Sequence, residues 1–261
     1  MIVVKFGGHA MKDENGGFAK AIALSVAAGE KVVVVHGGGP QIDAELRAQQ
    51  IVSTWKGGFR VTTQEIFDIV ERVLVHQVGP EVADNLSKAG IKAIAISARA
   101  LPTIISKRRT TLIDGSFAEL GLVGDVTSVN PAQILDLLDQ GVVPVIAPVS
   151  SAEDLITGLN VNADFVAAAI AAELGASALI VMTDVAGIYR NWPDKNSLIE
   201  HITASELESI KSEFAEGMAP KVQAALDALT FGTKAVRIID GTDCDSFVLA
   251  LSGTGGTLVV A

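Results

Sequence analysis

Three features of these 261 residues predict an α/β protein with a mainly parallel sheet covered by helices on both faces. Short runs rich in β-branched residues alternate with segments of helical periodicity, which is the pattern of βαβ crossovers. Two of those runs, Val3-Val4-Lys5-Phe6-Gly7-Gly8 and Val32-Val33-Val34-Val35-His36-Gly37-Gly38-Gly39-Pro40, pass straight into glycines. Glycines also stand where C-terminal helix caps belong, at Gly29, Gly90, Gly141, Gly175 and Gly232.

The first strand is read at 2–6, and its Lys5 sits at the end of an apolar run, where a cation has no packing role. A helix over 16–28 closes at Gly29. The valine run gives a strand at 31–36, and Pro40, suited to a first helical turn, opens a helix over 40–50. Helices over 64–76 and 79–89 follow; Ile66, Phe67, Ile69, Val70, Val73 and Leu74 give the first of them a core face with apolar positions to spare for a subunit contact. A strand at 91–96 precedes a break in the pattern. From Leu101 to Asp125, β-rich pieces around Ile104–Arg108 and Leu112–Ile113 run into an Asp114-Gly115 turn, which predicts β-hairpins projecting from the main sheet. Beyond it come a helix at 131–140, a strand at 142–147, a helix at 163–174 and a strand at 178–183. Helices at 204–213, 220–231 and 243–251 and strands at 235–239 and 257–260 complete the chain. The polar segment from Tyr189 to Ser197 reads as an exposed loop. No linker-like stretch or fixed repeat interrupts the sequence, and its division falls near Gly175, giving segments 1–175 and 176–261.

With 49% hydrophobic residues the chain buries an ample core, while a formal charge of −10 disfavours nucleic acid as a partner. Cys244 is the single cysteine, which excludes an internal disulfide and a thiolate cluster and fits a reducing, cytoplasmic compartment. The opening apolar stretch is cut by Lys5, so it lacks the makings of a secretion signal. The richest later stretch, Ala163 to Met182, contains Asp164, Glu173 and Gly175 and predicts no membrane span.

The two glycine turns let backbone N–H groups approach a ligand closely, and a helix opening at Pro40 aims its positive end at the same place; a phosphate-bearing anion is the expected ligand. Neither turn matches G-x-x-x-x-G-K-[ST] or G-x-G-x-x-G, which sets aside a P-loop and a dinucleotide fold. In Asn160-Val161-Asn162-Ala163-Asp164, Asn162 alone is an ordinary N-cap and Asp164 a first-turn acid, but Asn160 has neither duty. Lys221 follows Pro220 at the positive end of a helix, either a solvated surface lysine or one that calls for an anion. Arg60, after Gly57-Gly58, is either a surface residue or a two-pronged grip for a carboxylate. Thr183-Asp184-Val185-Ala186-Gly187-Ile188 closes an apolar strand in a polar turn that suits a nucleotide. His9, His36, His76 and His201 have no ligand-like spacing, and no G-x-S-x-G elbow occurs.

Taken in order, Lys5-Phe-Gly-Gly8, His36-Gly-Gly-Gly-Pro-Gln41, Gly58-Phe-Arg60-Val-Thr62, Asn160-Val-Asn-Ala-Asp164, Thr183-Asp-Val-Ala-Gly187 and Gly217-Met-Ala-Pro-Lys221 closely resemble the acetylglutamate kinases of the amino acid kinase family, over nearly the whole chain. The resemblance implies a three-layer αβα sandwich, with an N-terminal lobe that binds N-acetyl-L-glutamate and mediates dimerisation and a C-terminal lobe that binds MgATP. It implies that Lys5 and Lys221 stabilise the transferring phosphoryl group, that Asp164 orients them, and that Gly8, Gly38 and Gly39 supply backbone donors. Arg60 and Asn160, with Asn162 nearby, match the binders of the substrate's α-carboxylate. Thr183 to Tyr189 (Asp184, Val185, Ala186, Gly187 and Ile188 included) and Glu213-Phe214-Ala215 match the nucleotide-binding segments. No protein-held metal is expected, Mg²⁺ riding mainly on the ATP phosphates.

The pattern also departs from that family. His9 stands where a small polar residue is expected, Thr63 where Asp commonly follows the Arg-Val-Thr run, and Ser97-Ala98-Arg99 in place of a glycine-containing segment. The ending from Leu251 to Thr257 looks partly like related kinases that phosphorylate an aminoadipate carried on a protein, which remain the second reading. A non-catalytic sensor and a nicotinamide-linked oxidoreductase stand behind them. The chain opens directly on its first strand, and Ala250 replaces the Glu of an arginine-inhibitor site, so a homodimer insensitive to arginine is expected.

Overall fold

A computed structural model describes residues 1–7, 16–100, 102–214 and 217–261, apart from the Cys244 side chain. Its elements run β1 (Ile2–Phe6), α1 (Gly17–Ala27), β2 (Val32–His36), α2 (Gly39–Ala48), β3 (Trp55–Lys56), β4 (Phe59–Arg60), α3 (Gln64–Val73) and α4 (Gly79–Lys88). Then come β5 (Ala93–Ser97), β6 (Ile104–Arg108), β7 (Gly124–Val129), α5 (Ala132–Asp139), β8 (Val143–Ala147), β9 (Val149–Ala152), β10 (Gly158–Asn160) and α6 (Ala163–Glu173). The chain closes with β11 (Ala178–Thr183), β12 (His201–Thr203), α7 (Ala204–Ile210), α8 (Ala219–Thr230), β13 (Ala235–Asp240), α9 (Cys244–Leu251) and β14 (Thr257–Val260).

Eight strands form the main sheet in the order β12-β14-β13-β11-β1-β2-β8-β5. All neighbouring pairs are parallel except β13 with β14. Side chains alternate across it, and each face has its own core. Val4, Val32 and Val34 pack with residues of α1, α2, α3, α4 and α9, while Val3, Val33 and Val35 pack with α5, α6, α7 and α8. This is the expected αβα sandwich. The central strands are buried on both faces, which is why Ile2–Val4 of β1 and Val32–Val35 of β2 read as continuous apolar runs rather than alternating ones. No helix among the described residues is long and apolar enough to cross a membrane.

Two local expectations are corrected. The β-hairpins do not merely project from the main sheet: β6 and β7 pair antiparallel, and β6 also pairs parallel with β9, giving a separate four-stranded sheet in the order β10-β9-β6-β7. The short strands β9 and β10 escaped notice because Ser150 and Ser151, though buried, interrupt the apolar pattern. The two helices expected at 64–76 and 79–89 are one continuous rod, joined through a π-helical turn at Leu74–Val78. Pro80 has no N–H to donate four residues back, and the widened turn absorbs that loss.

Candidate functional site

β1 lies between β2 and β11, with Lys5 level with Val35 on one side and Val181 on the other. Its side chain turns out of the strand end over Gly7, where an added Cβ would lie 2.7 Å from the Lys5 Nζ. α6 begins beside it. Asn162 caps that helix by accepting the Asp164 N–H at 2.8 Å, which sets the Asp164 carboxylate in the first turn. The first turn of α8 brings in Lys221. The result is a buried charge cluster drawn from distant parts of the chain: Asp164 Oδ1 lies 3.2 Å from the Lys5 Nζ, and Asp164 Oδ2 accepts from the Lys221 Nζ at 2.9 Å. Lys5 and Asp164 are 7% and 3% exposed. The anion that Lys221 calls for is therefore supplied first by the protein itself.

Two lysines share one carboxylate in this cluster. Burial is the largest influence on Asp164 and acts to raise its pKa, but Lys221 and then Lys5 outweigh it and hold the carboxyl at about 2. Burial likewise pulls the Lys5 ammonium below the ordinary lysine range; Asp164 opposes that pull, the Lys221 charge adds to it, and Asp184 weakly opposes it. A ligand anion placed beside the Lys5 ammonium opposes both the burial and the Lys221 repulsion that pull it down.

The glycine turn after β2 packs against that after β1: Gly37 donates to the Phe6 carbonyl at 2.7 Å, and a Cβ on Gly37 would meet the Gly7 Cα at 3.4 Å. A side chain at Gly38 would collide with Leu74 of the π-helical turn. Gly39 opens α2. Gly8 and His9 lie outside the described residues, as does Ala215.

A second polar group surrounds Arg60, which is buried at 4% exposure and so is not a surface arginine. Its Nη1 contacts Asp43 Oδ1 and donates to Ser53 Oγ, both at 2.7 Å, and Trp55 stacks 4.5 Å from the guanidinium. Its Nη2 is buried and has no partner among the described residues, so one donor of the fork remains for an acceptor from outside. Asn160 Nδ2 donates to Thr62 Oγ1 at 3.1 Å, and Thr62 Oγ1 donates to the Arg60 carbonyl at 2.8 Å, which ties β10 to the segment after β4. Thr63, in place of the expected Asp, still caps α3 through its hydroxyl. Arg99 ion-pairs with Glu71 at 2.8 Å and donates to the Ile156 carbonyl at the tip of the β9–β10 turn.

Across the sheet, Thr183 ends β11 and its carbonyl accepts from Gly241 at 2.8 Å. Asp184 is exposed, Val185 and Ala186 are half-buried, and Gly187 and Ile188 are buried against Thr257. The Thr257 hydroxyl accepts the Ile188 N–H at 2.8 Å, and an added Cβ on Gly187 would lie 2.9 Å from the Thr257 backbone nitrogen. Tyr189 meets Trp192 edge-on at 5.2 Å, and Glu213 and Phe214 end the turn after α7. Thr257 and Asp43 were not foreseen from the sequence. Neither belongs to a local motif, and each acts on a residue far away along the chain.

A family model described as the amino acid kinase family matches residues 1–240. This chain belongs to that family. Among curated members of the family, an acetylglutamate kinase of Streptomyces avermitilis is 43% identical over 99% of this chain and 86% of its own length. One from Kineococcus radiotolerans is 42% identical over 100% and 90%. Among solved structures, a Streptococcus mutans protein superposes with a TM-score of 0.84 at 28% identity, covering 100% of this chain and 98% of its own. A Giardia lamblia carbamate kinase bound to AMP-PNP shares the fold, with a TM-score of 0.68 at 19% identity over 99% and 98%.

Proposed function

We propose that the protein transfers the γ-phosphoryl group of ATP to the side-chain carboxylate of N-acetyl-L-glutamate, yielding N-acetyl-L-glutamyl 5-phosphate and ADP, as in arginine biosynthesis. The observation that carries this reading is the pair of lysines drawn together by Asp164, beside a glycine cradle that a single Cβ would fill. The names and identities of the curated relatives support the choice of acceptor.

Phosphoryl transfer spreads charge over three equatorial oxygens and asks a protein for positioning and fixed positive groups. Lys5 and Lys221 approach those oxygens, and Asp164 keeps the two ammonium groups in place before ATP arrives. The nucleophile is a carboxylate, ionised at neutral pH, so the step needs no general base. Segment 1–175 would hold the acceptor, with the unpaired Nη2 of Arg60 and Asn160 taking its α-carboxylate and Asn162 nearby. Segment 176–261 would hold the nucleotide along Thr183–Tyr189 and Glu213–Phe214. Asp164 is already engaged by both lysines, so Mg²⁺ is assigned to the ATP phosphates and water, where it neutralises phosphate charge.

The working form is proposed to be a cytoplasmic homodimer insensitive to arginine. β5 supports the dimer, because it lies at the open edge of the main sheet with Ile94 45% exposed. ADP release measured side by side with N-acetylglutamate, glutamate, aspartate and a carrier-bound aminoadipate tests the acceptor. Turnover with the first is expected; turnover confined to the last would replace this reading with the lysine-type one.

A further inference from the structure

His36 ends β2 with no exposure to solvent. Its Nδ1 lies 2.7 Å from the Gly37 carbonyl oxygen. A carbonyl can only accept, so Nδ1 carries the proton and Nε2 is a bare lone pair. Nε2 has no hydrogen-bond partner among the described residues. It faces Gly79, whose Cβ, if present, would lie 3.1 Å from it. Gly79 has ordinary helical torsions, so glycine is needed at this place in the rod for room rather than for backbone freedom. Burial drops the imidazole pKa to about 4, which keeps the ring neutral through the physiological range.

Gly37 is thus held on both sides, its N–H by the Phe6 carbonyl at 2.7 Å and its C=O, which shares a peptide plane with the Gly38 N–H, by His36. That Gly37–Gly38 peptide is trans, so the Gly38 N–H points opposite to the carbonyl that His36 holds. Among the described residues, no backbone acceptor takes that N–H. We propose that His36 is a positioning residue that aims the Gly38 N–H at the phosphoryl group being transferred; this rests on the phosphotransfer reading above. The ring never touches the substrate. It fixes a donor that would otherwise be free to turn in a run of three glycines.

Three variants separate this role from packing. His36→Leu keeps the bulk and removes the donor, His36→Asn restores an amide N–H at the Nδ1 position, and His36→Gln places it at the Nε2 position. In the ADP-release assay with N-acetylglutamate, Leu and Gln should lower kcat roughly 10- to 100-fold, part of the loss seen when such a donor is deleted outright. The KM for ATP should stay within about threefold, and Asn should recover most of the rate. Equal losses for Leu and Asn, or none for Leu, would overturn the proposal. Imidazole ¹⁵N spectra of the unaltered protein give a second readout that needs neither turnover nor a folded variant. His36 should show the Nδ1–H tautomer, and an Nε2–H tautomer refutes the role even if the kinase activity is confirmed. Absence of turnover in a protein that does show the Nδ1–H tautomer would fault the substrate reading instead.

Discussion

Replacing Asp164 by Asn removes one negative charge and almost no volume, at the point where two lysines meet. At 3.2 and 2.9 Å, each attraction is worth roughly 5 kcal/mol at an effective dielectric constant of about 20. Burial takes much of that back. The net is read from the carboxyl itself, held at about 2 against an ordinary 3.8, a difference equivalent to about 2 kcal/mol. Asn also leaves two ammonium groups buried without their counter-charge, which brings the expected loss of stability to about 3–5 kcal/mol. Urea unfolding at pH 7 measures it, and the gap should narrow when MgADP supplies phosphate charge to the same lysines. Because the folded carboxyl has the lower pKa, its contribution is complete above the unfolded value of 3.8 and is lost as pH falls through about 2. The difference between parent and variant therefore closes on acidification below about pH 4. A variant as stable as the parent at pH 7, with or without nucleotide, would show that the cluster is not the electrostatic unit described here.

Lys221→Ala should lower kcat by about 10³-fold or more while the ATP dissociation constant changes by less than about tenfold, read by ADP release and calorimetry. Lys5 should give the pH profile of kcat/KM an alkaline limb below the ordinary lysine value of 10.5, and the limb in kcat should lie higher because bound phosphate favours the charged form. Gly7→Ala puts a methyl group 2.7 Å from the Lys5 Nζ. The flexible lysine end can move aside, so thermal stability should hold while kcat falls. Thr257→Val strands the Ile188 N–H in a buried place, at a cost of about 1–3 kcal/mol in unfolding experiments, and should weaken ATP binding alongside.

The main strands and their helices were legible because each face of the sheet demands a plain signal: unbroken valines in β2, a proline at the head of α2 and α8, a glycine after α1, α4 and α6. The pair Lys5 and Lys221 was visible for a related reason, since each charge stood where packing and dipoles gave it no purpose. The four-stranded sheet was not legible. Its β9 carries Ser150 and Ser151, whose burial depends on partners more than forty residues back. Arg60 shows the same limit, because the segment around it looked equally like surface or site until Asp43, Ser53 and Trp55 closed around the guanidinium.

The N-terminal strand occupies the middle of the main sheet, paired on one flank with residues 32–36 and on the other with residues 178–181. On the ribosome, β1 and β2 emerge early, and at about 5–20 residues per second the second flank arrives on the order of ten seconds later. During that interval the nascent chain carries an apolar strand with one open edge, a template for pairing with other chains. Folding of this protein thus depends on closing one very long loop late, and a chaperone that shields the waiting strand should raise its yield more than any change that stabilises the finished molecule.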